Sequence, residues 1–317
     1  LARLMPARLP GPLVVLGVFD APRDAAPLLA QAGAEAAEAS LTRLTRRVTR
    51  PAYGAAFAKV ADYIAAGDVY QINLTFPLSA RLTKGTALGL YGKLRARQAV
   101  GYGVYAALGA GPVVMSRSPE LFFRVQDGTL SARPMKGTAP RDPDPARDAA
   151  LAAELAASEK ARAENLMIVD LLRNDISRIS QIGSVKVPEL FAVEPFATLH
   201  QMSSTVTGRL VAGADLAGLM SALFPCGSIT GAPKIRAMEI IREVEPRPRG
   251  VYCGAMGWMS PSGDAAWNVA IRTLSLFSGG RVVLNVGGGV VQDSTAQGEW
   301  EEALWKARYA ARLVTPA

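Results

Sequence analysis

The chain has 317 residues, half of them apolar and a fifth charged, which is enough to bury one large core or two smaller ones and excludes an intrinsically disordered protein. No apolar run reaches the roughly 18 residues of a membrane span, so no membrane is expected as a partner. The net charge of +8 is spread over scattered basic residues with no dense run interleaved with aromatics, so no nucleic acid is expected either.

In chain order, residues 1–50 are rich in Ala, Pro and Arg, with a strand-like run at 14–19 and a linker helix at 25–38. They read as the remnant of an N-terminal region, and the start on Leu1 without a signal-peptide layout suggests a trimmed or processed chain. The signals strengthen from Pro51, so residues 51–317 read as one domain. Pro51 suits the first turn of a helix over 51–66, which Gly67 stops. Strands are predicted at 69–80, 103–108, 113–115, 121–125 and 129–134, and SARPMKGTAPR (131–141) reads as a turn carrying Lys136. A charged, proline-broken loop at 141–148 leads into one long helix ending near 174. Strands at 185–187 and 198–209 and a helix at 215–223 follow. PCGSITGAP (225–233) is a loop, and Pro233 opens a helix to about 244. Strands at 251–259, 265–276 and 281–286, a glycine run at 287–289 and a final helix at 297–313 complete the chain. Many strands in meander order with intervening helices predict an α+β fold with a largely antiparallel sheet.

Four features could carry chemistry. Lys136 is one of only eight lysines beside 27 arginines. A lysine kept where arginine is the usual cation hints at a group that must lose its proton. Glu164 shares a helix face with Ile168, Leu171 and Leu172, where an unpaired charge is costly. Glu299 and Glu302 stand one turn apart with Lys306 on the same side. Oxygen ligands without a His or Cys cluster would suit Mg²⁺ rather than zinc, although solvated helices often carry such pairs. In GSITGAPKI (227–235) a glycine-bearing loop feeds a helix start, a place for an anion, and Gly287, Gly288 and Gly289 offer close backbone approach. The single histidine, His200, shares a strand face with Met202, Ser204 and Val206 and reads as a core residue, with no paired acid in view for a serine or cysteine triad. Cys226 and Cys253 are too few for a disulfide framework and read as buried free thiols in a reducing cytoplasm.

Taken together and in order, VYQINL (69–74), SRSPELF (116–122), RPMKGTAPR (133–141), RAENLMIVDLLRND (162–175), LHQMSSTV (199–206), FPCGSITGAPKIRAMEII (224–241), VYCGAMGW (251–258), IRTL (271–274) and GGGVVQDS (287–294) resemble the chorismate-utilising enzymes. The resemblance runs from about residue 50 to the C-terminus. It implies two packed, largely antiparallel sheets flanked by helices, with a chorismate-binding catalytic domain over 51–317. It also implies Mg²⁺ on the ring carboxylate, with Glu164 and Glu302 as ligands and Glu299 one contact further out. Thr230, Gly231 and the backbone of Gly287, Gly288 and Gly289 would cradle the ring carboxylate. Tyr252 and Arg272 would hold the enolpyruvyl carboxylate with Lys306 nearby, and His200 and Gln71 complete the substrate contacts. Ala161 departs from the pattern, since the family usually has Asp or Glu there.

Two positions distinguish members of the family. Gln71 stands where isochorismate and salicylate synthases carry a lysine base, and Lys136 where anthranilate synthases usually carry alanine. The resemblance is therefore to members that make 4-amino-4-deoxychorismate, with Lys136 as nucleophile at C2, Glu120 as acid, and ammonia from a glutamine amidotransferase subunit, for folate synthesis. Amination at C2, as in anthranilate synthase, and a non-catalytic regulatory or nucleic-acid-binding descendant are the alternatives.

Overall fold

The computed structural model describes residues 12–97, 99–196, 199–311 and 313. In chain order the elements are α1 (Ala26–Glu35), β1 (Ser40–Leu41), β2 (Thr45–Arg46), α2 (Arg50–Ala65), β3 (Gln71–Lys84), α3 (Ala87–Arg97), β4 (Tyr102–Ala106), β5 (Val113–Ser118), β6 (Leu121–Gln126), β7 (Thr129–Ala132) and β8 (Met135–Pro140). They continue with α4 (Pro145–Ala157), α5 (Glu159–Ser177), β9 (Lys186–Pro195), β10 (Leu199–Arg209), α6 (Leu216–Leu223), β11 (Gly231–Ala232) and α7 (Lys234–Val244). The last are β12 (Ala255–Met259), β13 (Ala265–Val269), β14 (Thr273–Leu276), β15 (Arg281–Val290), α8 (Ala296–Lys306) and α9 (Arg308–Ala311). The fold is α+β with antiparallel sheets, as the element order predicts. No helix among the described residues is long and apolar enough to cross a membrane.

The chain forms two compact units. One takes the chain up to Pro119, Lys234–Gly254 and the chain from Ala270 onward; the other takes Glu120–Pro233 and Ala255–Val269. In the first unit the sheet runs β1-β3-β15-β14-β5-β4, with β2 also on β3. β3 and β15 form its spine, in register from Arg281↔Arg81 to Val290↔Ile72. The apolar face of the spine, including Ile72, Leu74, Phe76, Leu284 and Val286, is buried under α2, α7 and α8. Phe76 stacks on Trp300 of α8 with ring centroids 4.6 Å apart, and Tyr53 of α2 meets Phe76 edge-on at 5.4 Å. Each such pair adds about 0.5–1.5 kcal/mol beyond the area it buries. This packing fixes how α8 lies on the sheet.

Behind β3 lies a buried ion pair. Arg249 Nη2 donates to Glu245 Oε1 (2.7 Å) and to the carbonyl of Asn73 (2.6 Å), and the Thr75 N–H donates to the same Glu245 oxygen (2.8 Å). Burial works against the Arg249 charge, but Glu245 beside it outweighs this and holds the guanidinium ionised.

In the second unit a seven-stranded sheet runs β12-β13-β6-β7-β10-β8, with β9 on β10. The helix α5 packs on β10 through Ala161, Asn165, Ile168, Val169, Leu172 and Ile176. Its facing strand positions, His200, Met202, Ser204 and Val206, are all buried, as the alternation predicts.

Local chemistry explains several departures from the sequence reading. The long helix predicted to end near 174 is two helices, because Ser158 leaves helical geometry (φ −63°, ψ 109°) and its hydroxyl caps α5 through the Ala161 N–H. The strand predicted over 265–276 breaks at Arg272, which takes φ +49°, and the chain passes from one unit to the other at Ala270. Strand β15 continues through the glycine run instead of ending at residue 286. The strand predicted at 251–259 starts only at Ala255, the final helix is split into α8 and α9, and residues 14–19 form no strand and are exposed. Lys136 lies on a strand, β8, and not in a turn.

Candidate active site

In the first unit Gln71, Glu299 and Lys306 reach the glycine run, and Glu302 joins them through Lys306. A Cβ on Gly287 would collide with the Leu74 carbonyl, one on Gly288 with Glu299 Oε2, and one on Gly289 would lie 3.0 Å from Gln71 Nε2. Position 287 has no room for a side chain because it meets ladder backbone, while 288 and 289 face the ends of side chains, so backbone lies bare where side chains from β3 and α8 converge. Lys306 Nζ donates to the Gly287 carbonyl (3.1 Å) and pairs with Glu302 Oε1 (2.7 Å). Glu299 Oε1 accepts from the Ser294 hydroxyl (2.7 Å), and that hydroxyl in turn accepts the Val291 N–H (3.1 Å). Gln71 is almost fully buried. Tyr252 and Arg272 flank a turn closed by Cys253 N–H to Ala270 O (3.0 Å) and Ala270 N–H to Gly254 O (2.9 Å). Burial, and then Cys253, raises the Tyr252 hydroxyl well above its ordinary range, so it stays protonated and can donate.

In the second unit Glu120 precedes β6. It is buried, and its Oε1 accepts a 2.6 Å hydrogen bond from Ser228 Oγ in the loop after α6. The Thr230 hydroxyl is turned into that same loop, donating to the carbonyl of Cys226 at 3.0 Å. Gly231 follows with φ +149°. Lys136 is half-buried on β8 where the β8–β10 register shifts between Gln201 and Ser203. The bulge depends on Gly137, whose φ is +84° and whose carbonyl accepts from Gln201 Nε2 at 2.7 Å. Below it lies a small apolar cluster of Leu155, Ala161 and Met202. Ala161, the position that departs from the family pattern, is thus a buried packing residue. Glu164, on the same helix, is half-buried at the margin of the apolar stripe.

His200 is buried and has an acid partner that sequence spacing does not reveal. Its Nε2 lies 2.9 Å from Asp148 Oδ1, and Arg141 Nε meets the same carboxylate at 2.8 Å. The Arg141 hydrogen bond and the Asp142 N–H hold the Asp148 carboxyl well below its usual range. Asp148, Ser228 and Ser294 are the contributors that sequence reasoning missed. The two serines lie inside PCGSITGAP and GGGVVQDS, so the motifs contained them without revealing their partners.

Among the described residues no group of three or more His, Cys, Asp or Glu side chains gathers as a metal cage. Mg²⁺ is typically held by one or two carboxylates together with substrate oxygens. Glu299 and Glu302, adjacent carboxylates on α8, match that all-oxygen chemistry, and so does Glu164 in the second unit.

The family profile of chorismate binding enzymes matches residues 20–312. The chain belongs to that family. Within it, the chain is 44% identical over 280 residues to aminodeoxychorismate synthase component 1 of Klebsiella aerogenes, covering 88% of this chain and 61% of the relative. It is 43% identical over 264 residues to anthranilate synthase component 1 of Streptomyces coelicolor, covering 83% of this chain and 51% of that one. Among solved structures it is similar to anthranilate synthase component I from Streptococcus pneumoniae TIGR4, with a TM-score of 0.79 and 34% identity over 87% of this chain and 60% of that one. The chain therefore spans roughly half to three fifths of these chorismate binding relatives.

Proposed function

We propose that this chain aminates chorismate at ring C4, giving 4-amino-4-deoxychorismate for folate synthesis, with ammonia from a glutamine amidotransferase subunit. The observation that carries this reading is Lys136, a primary amine held half-buried on the β8 bulge, where strand pairing with β10 fixes its backbone. The relatives named aminodeoxychorismate synthase component 1 support it.

In this reading the Lys136 amine attacks C2, the ring double bonds shift, and the C4–O bond breaks. Glu120, held by Ser228, gives its proton to the departing hydroxyl, which leaves as water. Ammonia then forms the C4–N bond, the double bonds return, and the C2–N bond breaks with its electron pair going back to Lys136 as neutral amine. The resulting C4 ammonium gives up a proton, which restores Glu120. Two displacements retain the stereochemistry at C4. Tyr252, Arg272 and Lys306 would hold the enolpyruvyl carboxylate. Thr230, Gly231 and the bare backbone at Gly287, Gly288 and Gly289 would receive the ring carboxylate, with Gln71 and His200 as further contacts. Glu299, Glu302 and Glu164 would hold Mg²⁺, which when bound neutralises carboxylate charge. The two buried thiols suit a reducing cytoplasm.

The test is product analysis with chorismate, ammonium and Mg²⁺. Wild-type chain is expected to give the C4 amine, and Lys136→Ala to lose it. Unchanged C4 amination in that variant removes Lys136 as nucleophile. Wild-type product bearing nitrogen at C2 would instead align the chain with the anthranilate synthase component 1 relatives.

A further inference from the structure

The chain's only histidine has a carboxylate partner brought from another element. Asp148 lies in the first turn of α4, where the helix dipole favours negative charge. Its Oδ1 is the meeting point of Arg141 Nε (2.8 Å), the Asp142 N–H (3.0 Å) and His200 Nε2 (2.9 Å). Arg141 also reaches the carbonyl of Phe196 through Nη1 at 2.8 Å, tying α4 to the segment that enters β10. An ionised carboxylate has only acceptor sites, so the shared hydrogen must sit on the ring nitrogen facing it. Nε2 therefore carries the hydrogen. When the ring is neutral, Nδ1 is then left as the acceptor. The His200 side chain is 5% exposed, on the face of β10 that packs against α5, and its strand partner is Ala139 of β8, the strand that carries Lys136.

We propose that Asp148, clamped by Arg141, is a positioning residue that fixes the His200 imidazole as its Nε2–H tautomer, presenting bare Nδ1 as an acceptor for a substrate O–H or N–H. This rests on the amination reading for its catalytic meaning, whereas the ring tautomer can be read without any reaction. A purely structural contact would fix the same tautomer, but it would not make the cost of losing Asp148 in turnover depend on the His200 ring.

Because the sequence contains one histidine, protein labelled with ¹⁵N-histidine gives the signals of a single ring. The expected spectrum of the neutral ring has one protonated nitrogen, Nε2, and one bare nitrogen, Nδ1. Asp148→Asn is expected to lose that pattern and to slow product formation from chorismate and ammonium at least about 10-fold, as loss of an oriented proton-transfer group does. Asp148→Glu, which keeps a carboxylate, is expected to recover part of both. The decisive comparison is Asp148→Asn in a His200→Gln background, where its cost should vanish if Asp148 acts through the ring. An Nδ1–H ring in the unmodified chain overturns the proposal. An undiminished cost of Asp148→Asn in the His200→Gln background, or unaltered turnover in Asp148→Asn, also overturns it. If the product proves to carry nitrogen at C2, the C4 reading fails, and the same comparisons made on that product still decide the role of Asp148.

Discussion

Lys306 donates from Nζ to the carbonyl of Gly287 at 3.1 Å while pairing with Glu302 at 2.7 Å, so the last turn of α8 is tethered to the glycine run of β15. Both side chains of the ion pair are substantially exposed, and such i,i+4 pairs contribute only about 0.3–0.5 kcal/mol. The value of the contact is spatial. It holds an ammonium beside bare backbone.

The glycine positions should separate structure from function. In Gly287→Ala the new methyl meets the Leu74 carbonyl, which is ladder backbone and cannot yield, so a loss of about 1–3 kcal/mol or more is expected in urea unfolding. In Gly288→Ala it meets the end of the Glu299 side chain, which can swing away. That variant should stay close to wild-type stability but need more Mg²⁺ for half-maximal turnover. An unaltered Mg²⁺ requirement would remove Glu299 from the metal reading.

Gly137→Ala should harm both stability and turnover. Its φ of +84° disfavours a side chain, and the new Cβ would lie 2.9 Å from the Ala161 Cβ. A cost of about 1–3 kcal/mol is expected in thermal unfolding. Because Gly137 shapes the bulge that carries Lys136, turnover under fully folded conditions should also drop. Wild-type turnover would mean that the bulge does not aim the lysine.

The Arg249–Glu245 pair offers a contrast between breaking and replacing a buried ion pair. Arg249→Met leaves the Glu245 carboxylate, only 5% exposed, without its main partner, and a loss of about 3–5 kcal/mol is expected. Adding Glu245→Leu should recover much of it. Denaturant titration of both variants reads the difference directly.

Two groups give opposite signs in the pH dependence of stability. The Asp148 carboxyl is depressed in the folded chain, so its contribution is present above the unfolded value of about 3.9 and is lost as pH falls below it. Melting temperature against pH should therefore fall less steeply on the acid side in Asp148→Asn. Burial pushes the Cys253 thiol up to about 12 against the pull of Arg249, so unfolding is favoured as pH rises above the ordinary thiol value of about 8.5. At pH 8 the folded chain should react slowly with thiol reagents. Rapid labelling of Cys253 without denaturant would contradict its burial.

The sequence made the fold class legible because strand alternation and helix caps are local. The alternation at His200, Met202, Ser204 and Val206 predicted a buried face, and that face is buried. The boundaries were harder. Ser158 could have continued a helix as well as capped one, and the helix breaks there because its hydroxyl is free to serve the next helix's Ala161 N–H. The glycine run looked like a strand end because glycine is a poor strand former in isolation. It continues β15 because β3 supplies ladder partners as far as Val290↔Ile72, and at Gly287 the Leu74 carbonyl leaves no room for a side chain.

Motifs and periodicity are properties of neighbours along the chain, so the family, the alternation of strands and helices, and the residue types at each candidate position are legible without coordinates. The pairings come from folding alone: Ser228 with Glu120, Asp148 with His200, Ser294 with Glu299, and Lys306 with the carbonyl of Gly287. It also moved Lys136 from a turn onto a strand, since β8 exists only where β10 supplies its ladder partners. A hydrogen bond or a strand register is a relation between segments, and packing, not local sequence, selects which segments meet.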